Sequence, residues 1–167
     1  MAEKQETLIK EVLIPKEEYL SFDVLTSKPL DAYKKFYDIF AKMFQVKRSR
    51  VYVRDLRYDA TDNSFFIRIE ISDKIDETEF LTTRFTIEGI LSGVIPKEGE
   101  KTNLNIKLRI RLTCEIKVKG EGFWFNVNRF MTYVYYKLFY EKVFEDRVKR
   151  MEEALEKAKS EFIRILS

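Results

Sequence analysis

The chain has 167 residues, with 31 Lys or Arg and 28 Asp or Glu, for a formal charge of +3. Apolar residues make up 45% and charged residues 35%, which excludes a disordered chain, and the small net charge is too little to demand a nucleic-acid partner. No histidine and one cysteine exclude histidine triads, His-bearing zinc sites, cysteine metal clusters and intrachain disulfides.

Taken in chain order, Glu3–Ile14 carries Leu8, Ile9, Val12, Leu13 and Ile14 and is stopped by Pro15, so it reads as a strand or a short helix. Tyr19–Thr26 reads as a strand with Leu20, Phe22 and Val24 on one face. Pro29 then opens a helix, where its missing N–H does no harm. Leu30, Tyr33, Phe36, Tyr37, Phe40, Ala41 and Phe44 recur at three and four and form one apolar stripe.

Three strands with polar connections follow. Arg48–Tyr58 alternates imperfectly and predicts a bulge near Asp55. Phe65, Ile67, Ile69 and Ile71 alternate in the next strand, after the turn-like Asp59–Asn63. Asp73–Thr78 reads as a polar connection. The following strand, about Glu79–Ser92, puts Leu81, Phe85, Ile87 and Leu91 on one face, and Gly89 and Gly93 let it bend.

Asn103–Lys119 alternates without an error. Leu104, Ile106, Leu108, Ile110, Leu112, Cys114, Ile116 and Val118 point one way, and polar residues, including Lys107, Arg109 and Arg111, point the other. Such a strand has one buried and one wet face, and the short connections before it make an antiparallel meander. Fully extended it would span about 55 Å, so the sheet is expected to curve.

Gly120 and Gly122 end that pattern, and no Gly or Pro follows. One helix is expected from Asn126 or Asn128 to about Ile165. Asn128–Phe144 is aromatic on several faces, so burial against the concave side of the sheet is expected. Residues 147–167 are amphipathic, with Val148, Met151, Leu155, Ala158, Phe162 and Ile165 in one stripe. That stripe fits a coiled-coil dimer or a cover for the domain itself.

The order strand, helix, curved meander, long last helix resembles the START-like and polyketide-cyclase-like superfamily, the helix-grip fold. Leu20–Val24 with Pro29, the hairpins of Arg48–Lys119 and Gly122-Phe-Trp-Phe125 before the last helix carry the likeness over residues 19–160. It implies an α+β fold of five to seven antiparallel strands around a long C-terminal helix, as a single domain over 1–167 with 1–16 as an extra strand. It also implies an apolar cavity between sheet and helix, and no shared catalytic residues.

The expected function is non-enzymatic binding of an apolar or amphipathic, lipid-like small molecule. Leu108, Ile110 and Leu112 would line the cavity from the sheet, and Phe130, Tyr133, Tyr136, Lys137 and Tyr140 from the helix. A plainer reading has the Tyr rings packed as core, with Lys137 and Glu141 paired in solvent. The alternative function is assembly, as a homodimer or with another protein, through the C-terminal helix. A weaker one is RNA or another acidic partner on Lys107, Arg109 and Arg111, which Glu70, Glu88 and Glu115 on the same face oppose by cross-strand pairing. No cofactor or metal is expected, since the acidic loop of Asp73, Asp76, Glu77 and Glu79 lacks calcium-loop spacing and no phosphate-cradling glycine motif occurs. Nothing nominates an enzyme. With no run of 18 apolar residues and a charged Met1–Lys10, no membrane span and a cytoplasmic location are expected. Many Lys and Glu beside only two Gln, Gln5 and Gln45, give a thermophile-like composition.

Overall fold

The computed structural model describes residues 3–16, 18–44 and 50–167. Strands β1 (Lys4–Ile14) and β2 (Leu20–Thr26) precede helix α1 (Asp31–Phe44). Strands β3 (Val51–Asp59), β4 (Ser64–Thr78), β5 (Leu81–Val94) and β6 (Thr102–Gly120) follow. The last helical stretch is α2 (Gly122–Tyr135), a π-helical turn (Tyr136–Tyr140) and α3 (Glu141–Leu166). This is an α+β fold with a curved, six-stranded antiparallel sheet and a long C-terminal helix.

The long alternating strand, β6, is the spine of the sheet. On one side it pairs with β5, which continues through β4 to β3. On the other side it pairs with β1 and β2 end to end: Lys4↔Gly120 through Ile14↔Ile110, then Leu20↔Leu108 through Thr26↔Thr102. Only Arg109 of β6 lies between the two pairings. The segment at Glu3–Ile14 that read as strand or helix is a strand. The expected bulge is a register shift between Val53 and Asp55. The Arg48 start expected for β3 lies outside the described residues.

One expectation is corrected here. Asp73–Thr78 is not a connection: β4 runs on to Thr78, and Asp73, Lys74, Ile75 and Asp76 pair with Phe85, Arg84, Thr83 and Thr82. Their polarity reflects a two-sided solvated hairpin end rather than a loop.

Every alternate residue of β6 from Leu104 to Val118 is buried. Above them sit Phe36 and Phe40 of α1 and Phe144, Leu155, Ala158 and Phe162 of α3. Phe162 brings its ring to 6.1 Å from that of Phe36 and 6.3 Å from that of Phe40. The amphipathic stripe of residues 147–167 thus covers the domain's own sheet.

The aromatic half of the helix behaves otherwise. Burial of Asn128–Phe144 against the concave face is overturned for all but a few residues, since α2 has no buried residue, and Tyr136, Tyr140 and Phe144 are the first to go under. The reason is geometric. A helix lying on a sheet buries one stripe, and burying the rest needs a second neighbour. α1 packs beside α3, whereas α2 packs mainly on the end of β6, with Tyr135 against Phe80 and Arg129 reaching Glu6 of β1.

Candidate binding surfaces

Leu108, Ile110 and Leu112 are fully buried in the sheet. Beside Leu108, Gly89 faces the same way and carries the Phe36 ring directly on its Cα. The Phe36 ring therefore lies on the sheet beside the three residues expected to line a cavity. Tyr136 and Tyr140 reach the sheet. Phe130, Tyr133 and Lys137 do not, and all three are exposed. The expected set is therefore split by burial, with Tyr136 and Tyr140 covered and Phe130, Tyr133 and Lys137 uncovered.

Tyr136 and Tyr140 instead close a polar layer at the end of the core. Lys10, Cys114 and Thr83 lie in one row across β1, β6 and β5. The Tyr140 hydroxyl hydrogen-bonds with Thr83 and lies 3.5 Å from Glu77 Oε1, and Arg147 pairs with Glu77 and reaches the same hydroxyl at 3.3 Å. Lys10 Nζ sits 5.4 Å above the Phe144 ring and 3.7 Å from Glu141. Burial pushes the Tyr136 and Tyr140 phenols up, and pushes the Cys114 thiol up to about 11. Lys137 pairs with Glu141 at 2.7 Å in solvent, as their one-turn spacing predicts.

Open space between sheet and C-terminal helix lies at the seam. A furrow of about 560 Å³ is lined by Ile14, Pro15, Lys16, Leu20, Glu152, Leu155 and Glu156. A second of about 300 Å³ shares Lys16 and Glu152 and continues along Lys10, Val12, Phe144, Val148 and Lys149.

The helical stretch from Gly122 to Val143 presents its outer side to solvent. Phe123 is 74% exposed, Trp124 67% and Phe139 64%, and Phe130, Met131, Tyr133, Leu138 and Val143 join them. At about 100° per residue Phe123, Trp124, Phe130, Met131 and Leu138 share one side and form an apolar strip, whereas Tyr133, Phe139 and Val143 lie to either side of it. The charges along it are already engaged, Arg129 with Glu6 at 3.3 Å and Lys137 with Glu141. The sequence showed this aromatic surplus but not which side the rest of the protein would leave uncovered.

On the opposite face of the sheet, the cations cross to carboxylates as the alternation predicts. Arg109 Nη2 binds Glu88 Oε2 at 2.9 Å and the Tyr19 hydroxyl at 2.9 Å, with its guanidinium 4.2 Å over the Tyr19 ring. Arg68 also pairs with Glu88. Arg84 holds Glu115 at 2.8 Å, and Arg54 grips Glu70 through two bonds of 2.9 Å. Burial alone would raise the Glu88 carboxyl, but hydrogen bonds with Tyr19 and Arg109 and the charges of Arg68 and Arg109 hold it below the usual range. Of the three cations singled out in sequence, Arg109 is therefore engaged within the sheet, while Lys107 and Arg111 face solvent.

No helix among the described residues is long and apolar enough to cross a membrane, and no group of three metal-ligating side chains occurs among them. No family model matches the chain, and no curated protein matches it. Among solved structures, a delta-endotoxin is similar over 70% of this chain at 8% identity, with a TM-score of 0.34, and the chain spans 63% of that protein's length. An uncharacterised protein from Rhizobium leguminosarum is similar over 94% of this chain and 99% of its own, at 11% identity and a TM-score of 0.20. Likenesses at these scores carry no argument about fold or function.

Proposed function

We propose that this chain is an assembly module in which two copies pair through the outer face of α2. The supporting observation is the uncovered aromatic strip. Its five large side chains expose on the order of 700 Å², close to the roughly 800 Å² per partner of a standard interface. Lone exposed apolar residues are ordinary, but a contiguous patch of this size on a monomer marks an interaction site. A second copy is the occupant that fits. The strip is aromatic and poor in free charge, as homodimer interfaces are, and a two-fold axis across one helix makes it self-complementary. Sedimentation velocity over a concentration series tests this. A reversible dimer that Phe123→Ser/Phe130→Ser/Leu138→Ser converts to a folded monomer supports the proposal. A strict monomer at high concentration, or a monomer that binds lipid vesicles through the same strip, overturns it.

A second reading keeps the small amphipathic molecule, and the helix-grip relationship with it, but at the seam between the β1–β2 edge and α3. Its support is the pair of furrows, whose floor of Val12, Ile14, Leu20 and Leu155 is apolar and whose rim carries Lys10, Lys16 and Lys149. Their volumes fall in the range of ligand clefts, roughly 300–1,000 Å³. Native mass spectrometry of the purified protein reports subunit number and retained ligand together. A ligand-free spectrum, with no binding of added fatty acid, counts against this second reading.

A further inference from the structure

The outer face of the sheet carries a feature independent of α2. Three strands meet there in register: Ser72, Thr86 and Arg111 make one row, and Glu70, Glu88 and Arg109 the next. Like charges directly opposite destabilise a sheet, yet Glu70 faces Glu88. Each has its own cations, Arg54 for Glu70 and both Arg68 and Arg109 for Glu88. Glu88 is thereby buried at 7% exposure on the face that should be wet, and it fixes two guanidiniums beside it. Arg111 is held less firmly. The carboxylate of Glu11 lies 3.9 Å away, outside hydrogen-bond range, and the Arg111 side chain is half exposed. Between these groups lies a recessed hollow of about 110 Å³, lined by Arg68, Glu70, Thr86, Glu88, Arg109 and Arg111.

We propose that this hollow binds a single phosphoryl group. Its size suits one: a water's share of liquid volume is about 30 Å³, so the space holds a tetrahedral oxyanion and no ring. Its charge suits one too. Arg54, Arg68, Arg109 and Arg111 outnumber Glu70, Glu88 and Glu11. Guanidiniums offer planar pairs of N–H donors that match phosphate oxygens, and those not facing Glu88 remain free to donate. Arg111 supplies the mobile half of the clamp and Arg109, stacked on Tyr19, the rigid half. Thr86 adds a hydroxyl, shared with Ser72 at 3.1 Å. Glu88 acts as a positioning residue that aligns Arg68 and Arg109.

Calorimetric titration of the full chain with inorganic phosphate, at ionic strength fixed by chloride, tests the site. Saturable one-to-one binding with a Kd of about 1 mM or tighter is expected. Arg111→Gln should weaken it about 10-fold or more. Lys107→Gln, outside the hollow, should change it by no more than about 2-fold. Both substitutions are on the solvent face, and an unchanged thermal melt confirms folding. Glycerol 3-phosphate separates the sources: tighter binding than phosphate assigns an organic ester, equal binding the free ion, and either supports the hollow. No saturation, equal binding by Arg111→Gln, or equal loss in Lys107→Gln overturns it, the last because diffuse charge would then explain the effect.

Discussion

The ring of Phe36 rests on the backbone of Gly89: a Cβ built at Gly89 would lie 2.0 Å from Phe36 Cε2. The contact ties α1 to the middle of β5, and it exists because residue 89 has no side chain. Gly89→Ala forces the ring, or the helix that carries it, away from a core already packed against Phe40 and Phe162. Overpacking of this kind costs about 1–3 kcal/mol. The denaturant midpoint should fall with an unchanged slope. Adding Phe36→Leu should recover part of the loss, because the two sites share one volume. A Gly89→Ala protein as stable as the parent would show that the ring yields freely.

Glu88 gives the fold a pH signature. Its folded carboxyl titrates below the unfolded value of about 4.3. A depressed carboxylate stabilises above its unfolded pKa and loses that contribution as pH falls through the folded one. Stability should therefore drop on acidification below about pH 5, and Glu88→Gln should flatten part of that drop. At neutral pH the variant should be less stable by about 3 kcal/mol, at the low end for a broken buried pair because Arg68 is partly solvated. Urea unfolding at several pH values reads both effects. An acid slope identical in the two proteins would remove Glu88 from the account.

Cys114 has the opposite sign. Burial raises its thiol to about 11, so at pH 8 it is neutral and enclosed. The thiolate is the reactive form, and native protein should not react with an aromatic disulfide reagent until it opens. Because the folded state disfavours the thiolate, stability should fall as pH rises from about 8.5 toward 11, and Cys114→Ala should reduce that slope, most clearly below about pH 10, where the raised Tyr136 and Tyr140 phenols do not yet contribute. Rapid labelling of the native protein would contradict the burial.

Patterning made much of this legible in advance. The alternation from Leu104 to Val118 gave the buried and wet faces of β6 residue by residue, because strand geometry leaves a side chain only two directions. The ion pairs of Glu88 and Glu115 were foreseen as cross-strand partners, though not individually, since choosing Arg109 or Arg84 requires the register. The end-to-end seating of β1 and β2 on β6 was hidden for the same reason: nothing local to Ile14-Pro15 says that Arg109 will lie opposite the break. The helix misled most. Phe130, Tyr133 and Lys137 carry the same aromatic signal as Tyr136 and Tyr140, and apolar periodicity states only that a face wants cover. Whether the cover is the chain's own sheet or another molecule depends on where α1 packs, which is a tertiary fact. The same aromatic excess that suggested an interior ligand wall is, in the folded chain, mostly its outside.

That outside carries its own reporter. Trp124 is the sole tryptophan, is 67% exposed in the isolated chain, and meets Phe123 edge to face at 5.9 Å. If two copies pair through α2, its indole leaves water on association, and emission should shift to the blue as concentration rises. The midpoint of that shift should coincide with the dimer midpoint from sedimentation. Large aromatic residues near the centre of an interface carry most of its energy, so Phe130→Ser should raise the dissociation constant about 10-fold or more. It should leave the far-UV spectrum and the melting of the core unchanged, because Phe130 supports nothing in its own domain. Trp124→Phe should still assemble while losing the signal. Emission that stays constant through a concentration range where dimers form would mean that the copies meet elsewhere, and the assignment to α2 would fall.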